Sequence, residues 1–327
     1  MFNYFIIFAA ALISGLLFTF LLSRFSQKHK LLRVKGIPLV GGLGIGAAFV
    51  FSFSLSIFIF GFPEVKMLAV ASASLFMLFF GFLDDLVELS VVQKFLVESF
   101  CAILLISFGV KTDIMYFGFW GNVLITFFWI VGITNAFNIL DIMDGLAAGS
   151  ALIISSAFLL IGFLSSNLNL QILSLILCAI SAGVIIFNFP PAKVYLGNSG
   201  SHFFGLLLAS AALIAHYASK DNFFALLSPA MILGLPIVDT IILVIFRVIK
   251  RRFPFNKSRD HIALRIGALG FSLRKTILIM YLLCFVFAGC GVVLTRVNSW
   301  LAAGIIIIVF FFSINIFWRL VKVEAND

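Results

Sequence analysis

The sequence predicts an all-α, polytopic integral membrane protein, a single domain over residues 1–327 with about eleven transmembrane helices, its N-terminus outside and its C-terminus cytosolic. Three observations carry this. First, 63% of the residues are apolar and 11% are charged, which leaves too little polar surface for a water-facing globule. Second, the apolar residues fall in runs of roughly 17–25, the length at which a helix crosses a hydrocarbon core of about 30 Å. Third, the basic residues are distributed asymmetrically between alternate loops. With the N-terminus outside, eighteen of the 22 Lys and Arg face the cytosol: five in 24–35, Lys94, Lys193, nine in 247–275, and Arg319 with Lys322. Lys66, Lys111, Lys220 and Arg296 face out.

The expected spans are 2–23, 38–60, 65–83, 91–109, 121–140, 145–164, 169–188, 200–217, 224–248, 274–295 and 299–318. Helix is the only form that satisfies backbone amides within each run, and the two-residue alternation of a lipid-facing barrel is missing. The first span lacks a basic leader and an A-x-A cleavage site, so it reads as a helix rather than a removable signal. The second opens on RVKGIPLVGGLGIG. No strand precedes Gly42, Gly44 and Gly46, so they signal close helix packing, not a dinucleotide fingerprint.

Span three ends in Asp84-Asp85, with Glu88 just beyond. Adjacent carboxylates repel unless a cation lies between them, so the pair invites Mg²⁺; solvated helix-end acids are the alternative. In span four, Lys94 and Glu98 are spaced to pair along one helical face. Span five runs into NAFNILDIMDGLAAG, where Asn138, Asp141 and Asp144 recur every three residues and point the same way on a helical turn. N-capping of the next helix would account for one Asp but not for the set.

Pro190-Pro191 ends span seven, and Gly197-Asn198-Ser199-Gly200-Ser201 precedes span eight, a helix start suited to offering N–H groups to phosphate. Asp239 sits late in span nine. The longest polar stretch, RVIKRRFPFNKSRDHIALRIGALGFSLRK, sets nine basic residues against Asp260 and can clamp a pyrophosphate through Arg; its HIALRIGAL portion is amphipathic and suited to the membrane surface. Orientation bias alone explains most of that charge. The same bias accounts for the net charge of +9, with attraction to anionic headgroups and phosphorylated substrates added, so no nucleic-acid partner is expected. Cys101, Cys178, Cys284 and Cys290 lie in apolar spans without metal-ligand spacing and read as small packing residues.

In their order, KGIPLVGG, GFLDDLVELSVVQKF, NAFNILDIMDGLAAG, VYLGNSGSHFFG, PIVDT and RDHIALR make the chain resemble the polyprenyl-phosphate N-acetylhexosamine-1-phosphate transferases. The resemblance spans nearly the whole chain. It implies transfer of a sugar 1-phosphate from a UDP-N-acetylhexosamine to undecaprenyl phosphate, releasing UMP, on the cytosolic face of the inner membrane at the start of a cell-surface glycan. It further implies Mg²⁺, leaving open whether Mn²⁺ can take its place, and a homodimer is a candidate assembly. Carried onto this sequence, it makes Asp84, Asp85 and Asp144 catalytic. Lys35, Lys94, Asn138, Asp141, His261 and Arg265 become substrate-binding residues, and Asp84, Asp85, Asp144 and Asn198 become metal ligands.

Four positions depart from the family pattern. Asn198 stands where Asp is common, Leu264 where relatives carry a second His, Leu39 in place of a frequent Arg, and Ile142 in place of Gly or Asn. The missing His stretch points away from the phospho-MurNAc-pentapeptide translocase branch and toward N-acetylglucosamine 1-phosphate as the group transferred. Two rivals stay open: a catalytically impaired relative that binds nucleotide sugar or lipid, for which Asn198 and Leu264 argue, and a transporter, whose charged site would lie nearer the bilayer midplane.

Overall fold

The computed structural model describes residues 1–217, 222–251 and 260–323. Lys220 and the central part of the long basic stretch, residues 252–259, lie outside the described residues. Among the described residues the elements are helical apart from one short hairpin, and the chain divides into two compact units, Met1–His216 and Tyr217–Asp327.

The first unit contains α1 (Phe2–His29), β1 (Arg33–Val34), β2 (Ile37–Pro38), α2 (Gly41–Phe60), α3 (Val65–Val87), α4 (Val91–Ser107), α5 (Gly118–Leu140), α6 (Leu146–Leu164), α7 (Leu168–Asn188) and α8 (Gly197–Ile214). β1 and β2 pair antiparallel, Arg33 opposite Pro38 and Val34 opposite Ile37. Lys35 (φ 49°) and Gly36 (φ 85°) turn the hairpin, both in the left-handed region that a tight two-residue turn requires. α1 packs on α2 and α7, α6 on α7, and α8 on α3 and α5.

α8 is the core of this unit, since every residue from Ser199 to Ala212 is buried. A helix enclosed by protein on all sides is released from the need to be apolar toward lipid, which explains how it can open on Gly-Asn-Ser-Gly-Ser-His. Its neighbours come in close at glycines. A Cβ on Gly42 would stand 2.3 Å from the Gly200 amide nitrogen, and one on Gly81 would stand 2.6 Å from the Asn198 carbonyl oxygen. The glycines entering α2 are therefore packing glycines, as their sequence context predicts.

The second unit contains a 3-10 turn (Phe223–Leu227), α9 (Ser228–Ile232), α10 (Gly234–Ile249), α11 (Ile262–Ala268), α12 (Leu273–Leu294) and α13 (Ser299–Val321). The ninth expected span is not one straight helix. It bends by 74° between residues 232 and 234, where Pro236 has no N–H to continue the ladder. In α11, Ile262, Ala263, Arg265 and Ile266 are buried, so this face of the HIALRIGAL segment packs against its own unit.

Among the described residues, eight helices are long and apolar enough to cross a bilayer, or nine when the bent pair is taken as one span. The other two expected spans are helical but fall short of that standard. α4 has 17 residues, and α8 spends its first six on polar and small side chains.

Gly42→Val is expected to drive a side chain into the backbone of α8 and to abolish a monodisperse peak on size-exclusion chromatography in detergent, overpacking of this kind costing about 1–3 kcal/mol or more. Gly132→Ala, where an added Cβ meets nothing within 4 Å, is expected to elute like the parent.

Candidate active site

The expected acids gather where the C-terminal ends of α3 and α5 meet the N-terminal ends of α2, α4 and α8. A cavity of about 810 Å³ opens there, lined by Asp84, Asp85, Glu88, Asn138, Asp141, Asp144, Asn188, Tyr195 and Asn198, with Val34, Leu39 and Ile142 among its apolar walls. Six of the sequence-derived site residues therefore share one space.

Asp85 fastens the site together. Its Oδ1 accepts the Asn198 N–H (2.7 Å), and its Oδ2 accepts both the Ser199 N–H (3.1 Å) and the Ser199 hydroxyl (2.8 Å). A carboxylate at a helix N-terminus satisfies amides that have no intrahelical partner and meets the positive end of the dipole. Gly197 (φ +76°) is the turn that makes room, since a Cβ there would stand 2.6 Å from Asp85 Oδ2. The expectation that the start of α8 presents free N–H groups to phosphate is corrected at these two residues, because Asp85 already occupies them.

Asp84 is also committed. Oδ1 accepts the Leu89 N–H at 2.7 Å and Oδ2 lies 2.6 Å from Lys94 Nζ. Ser90 and Gln93 form a capping box that starts α4 one turn before Lys94, which fixes the lysine's direction. Lys94 pairs with Asp84 instead of with Glu98, four residues along. Glu98 turns away, to Asn135 and toward His202.

Asp144 Oδ2 accepts the Ala192 N–H (3.0 Å), while Asn188 accepts from the Gly145 N–H (3.0 Å) and donates to the Val194 carbonyl (2.9 Å). These bonds tie the 141–145 turn to the 189–196 loop. That loop in turn pairs with the entry to α2, through Gly41 N–H to Tyr195 O and Gly42 N–H to Leu196 O. Asn138 donates to Asn198 Oδ1 (2.8 Å) and to Ser201 Oγ (3.0 Å), so the amide that stands where Asp is common is a built-in partner.

Asp141 is the exception among the four aspartates: no side-chain hydrogen bond or ion pair holds it among the described residues. Burial first, then the neighbouring Asp85 and Asp144 carboxylates, push its carboxyl up to about 7. Hard oxygen donors under mutual repulsion are what a divalent cation relieves. Among the described residues no three His, Cys, Asp or Glu side chains already converge as a cage. The set fits a cation held by one or two carboxylates with water or phosphate oxygens completing the shell, the usual manner of Mg²⁺.

Lys35 is exposed in the hairpin turn beside Val34, a lining residue. His261 and Arg265 belong to the second unit. His261 Nδ1 lies 3.0 Å from Asp239 Oδ2, and Asp239 Oδ1 accepts the Ile262 N–H. Arg265 is 2% exposed: it bonds Asp260 Oδ1 (2.6 Å) and the Leu320 and Val323 carbonyls, and its guanidinium stacks 3.7 Å over the Phe246 ring. Its donors hold that unit together rather than reaching outward. Sequence reasoning missed Asn188 and Tyr195. Asn188 immediately precedes the Phe-Pro-Pro stop of α7, the one local signal of a residue bridging a helix end to its loop.

Because the folded state raises the Asp141 carboxyl, it binds a proton more tightly than the unfolded chain, and stability falls as pH rises from about 4 toward 7. Asp141→Asn is expected to raise the Tm in metal-free detergent at pH 8, by about 2–4 °C per kcal/mol relieved, with the gain vanishing near pH 4. A thermal-shift series across pH checks it.

Residues 67–216 match the sequence model of a family described as Glycosyl transferase family 4, a region holding every residue of this cavity except Val34 and Leu39. The chain is 34% identical over 257 residues to a Bacillus subtilis protein named probable undecaprenyl-phosphate N-acetylglucosaminyl 1-phosphate transferase, covering 76% of this chain and 72% of that one. It is 30% identical over 245 residues to the Mycobacterium tuberculosis decaprenyl-phosphate N-acetylglucosaminephosphotransferase (66% of this chain, 60% of the relative). It is 32% identical over 190 residues to a Thermotoga maritima undecaprenyl-phosphate alpha-N-acetylglucosaminyl 1-phosphate transferase (58% and 57%).

Proposed function

Since the chain belongs to glycosyl transferase family 4, we propose that it transfers N-acetylglucosamine 1-phosphate from UDP-N-acetylglucosamine to undecaprenyl phosphate, with UMP as the second product. The reaction is placed on the cytosolic face of the inner membrane, at the start of a surface glycan. The observation that carries the reading is the 810 Å³ cavity, in which four aspartates and three asparagines crowd one end of a membrane helix bundle. A transporter would place such charge between helices near mid-bilayer; here it sits at helix ends.

The chemistry joins two anions. An oxygen of the lipid phosphate attacks the sugar-bearing phosphorus of the donor, that phosphorus–oxygen bond forms, and the bond to UMP breaks. Mg²⁺, or Mn²⁺ in its place, would be held by Asp141 and Asp144, with Asp85 and Asn198 beside them, and would offset the charge of the diphosphate. Lys94 has three donors and faces Asp84 with one, so it can offer positive charge to a phosphate while staying anchored. Asp84 and Asp85 keep the floor fixed, Asp85 by capping α8 and Asp84 by holding Lys94. Asn138, aligned by Asn198 and Ser201, orients donor polar groups. Positioning and electrostatics then supply most of the rate.

Purified protein given UDP-N-acetylglucosamine, undecaprenyl phosphate and Mg²⁺ is expected to release UMP only when lipid is present. Asp144→Asn and Asp84→Asn should each lower that rate by roughly 100-fold or more. Asn198→Asp is expected to lower the Mg²⁺ concentration giving half-maximal rate. A parent that stays silent while Asn198→Asp releases UMP would mark an impaired enzyme, and labelled sugar phosphate trapped on the protein without lipid would replace direct attack by a covalent route.

A further inference from the structure

Beneath the Asp84–Lys94 pair lies a second buried polar group that the proposed reaction does not use. Glu98 of α4 and His202 of α8 are 1% and 3% exposed. With Asp84, Lys94 and Gly81 they line a small void of about 10 Å³. Glu98 Oε2 accepts a hydrogen bond from Asn135 Nδ2 of α5, and Glu98 Oε1 stands 3.5 Å from His202 Nε2. His202 Nδ1 bonds the Asn198 carbonyl oxygen at 2.9 Å. A carbonyl can only accept, so Nδ1 carries the N–H, and Nε2 is the ring atom turned to Glu98.

A carboxylate this deep is costly unless several partners share it. Its partners are chosen in a telling way. Asn135 lies one turn before Asn138 on α5, Asn198 lies one turn before His202 on α8, and Lys94 lies one turn before Glu98 on α4. One side chain thus contacts a residue one turn from each of two cavity-lining asparagines, Asn138 and Asn198, and itself stands one turn from Lys94. The geometry points to Glu98 as a positioning residue that sets the mutual placement of Lys94, Asn138 and Asn198. This rests on the transferase reading of the cavity and adds to it a residue that touches no reacting atom.

The role needs an acceptor toward Asn135 and a group able to meet His202, not a formal charge. Gln supplies both, its carbonyl to Asn135 and its amide N–H to Nε2. Glu98→Gln is therefore expected to keep kcat within about threefold of the parent, while Glu98→Ala lowers kcat roughly tenfold or more with KM for both substrates within about twofold. Hydrogen–deuterium exchange, which needs no turnover, is expected to quicken about tenfold at residues 198–202 in Glu98→Ala and to stay unchanged in α6. If Glu98→Ala does not fold, Asn135→Ser removes one tether and carries the same expectations.

Unchanged kcat per folded molecule in the truncated variant, or a Gln variant as damaged as the Ala variant, overturns the assignment. A parent that releases no UMP counts against the transferase reading alone. The exchange pattern then decides the positioning claim, since uniform exchange across parent and variants would refute it.

Discussion

The site hangs on one carboxylate meeting one helix end. Asp85 gives both oxygens to the first turn of α8, and in return α8 brings Asn198 and Ser201 to Asn138, and His202 to Glu98. Nothing in that arrangement works unless α8 can come within contact of α2 and α3, which is why Gly42 and Gly81 lie where it does. The same contact decides which acids remain available. Asp85 is spent on amides and Asp84 on Lys94 and Leu89, so the unrelieved negative charge collects on Asp141 with Asp144 beside it.

This division of labour changes how the paired aspartates are understood. In the sequence, Asp84-Asp85 looks like the natural seat of a cation, because two adjacent carboxylates should repel. In the folded chain each has found a different positive partner: the dipole and amides of α8 for one, an ammonium group for the other. The pair ties α8 and Lys94 to the floor of the cavity, with Asp141 and Asp144 beside it. Asn198 fits the same logic, since an amide can accept from Asn138 without adding a further negative charge to an already crowded cluster.

Much of this is legible in the sequence. Apolar run length gives the helices, and the spacing of Asn138, Asp141 and Asp144 places them on one turn together. What stayed hidden has physical reasons. Hydropathy cannot separate a helix facing lipid from one enclosed by protein, so α8 reads like another span although it is the core. A bend such as that between α9 and α10 removes no apolar residue and leaves only Gly234 and Pro236 as its trace. Lys94 and Glu98 obey the spacing of an ion pair, yet partners from α3, α5 and α8 outcompete the local one. Arg265 carries the charge expected of a phosphate ligand, but its donors are consumed inside its own unit, a fact that sequence spacing does not encode.

That last feature bears on the order of events during synthesis. Arg265 sits in α11, but two of its carbonyl partners, Leu320 at the end of α13 and Val323 just beyond it, emerge from the ribosome more than fifty residues later. Until they arrive, a guanidinium destined for burial has only Asp260 and the face of Phe246 to satisfy it. The second unit thus has a latch whose bolt is made well after its socket, so α10 and α12 can enter the membrane early, but their packing becomes final only after α13 has been laid down.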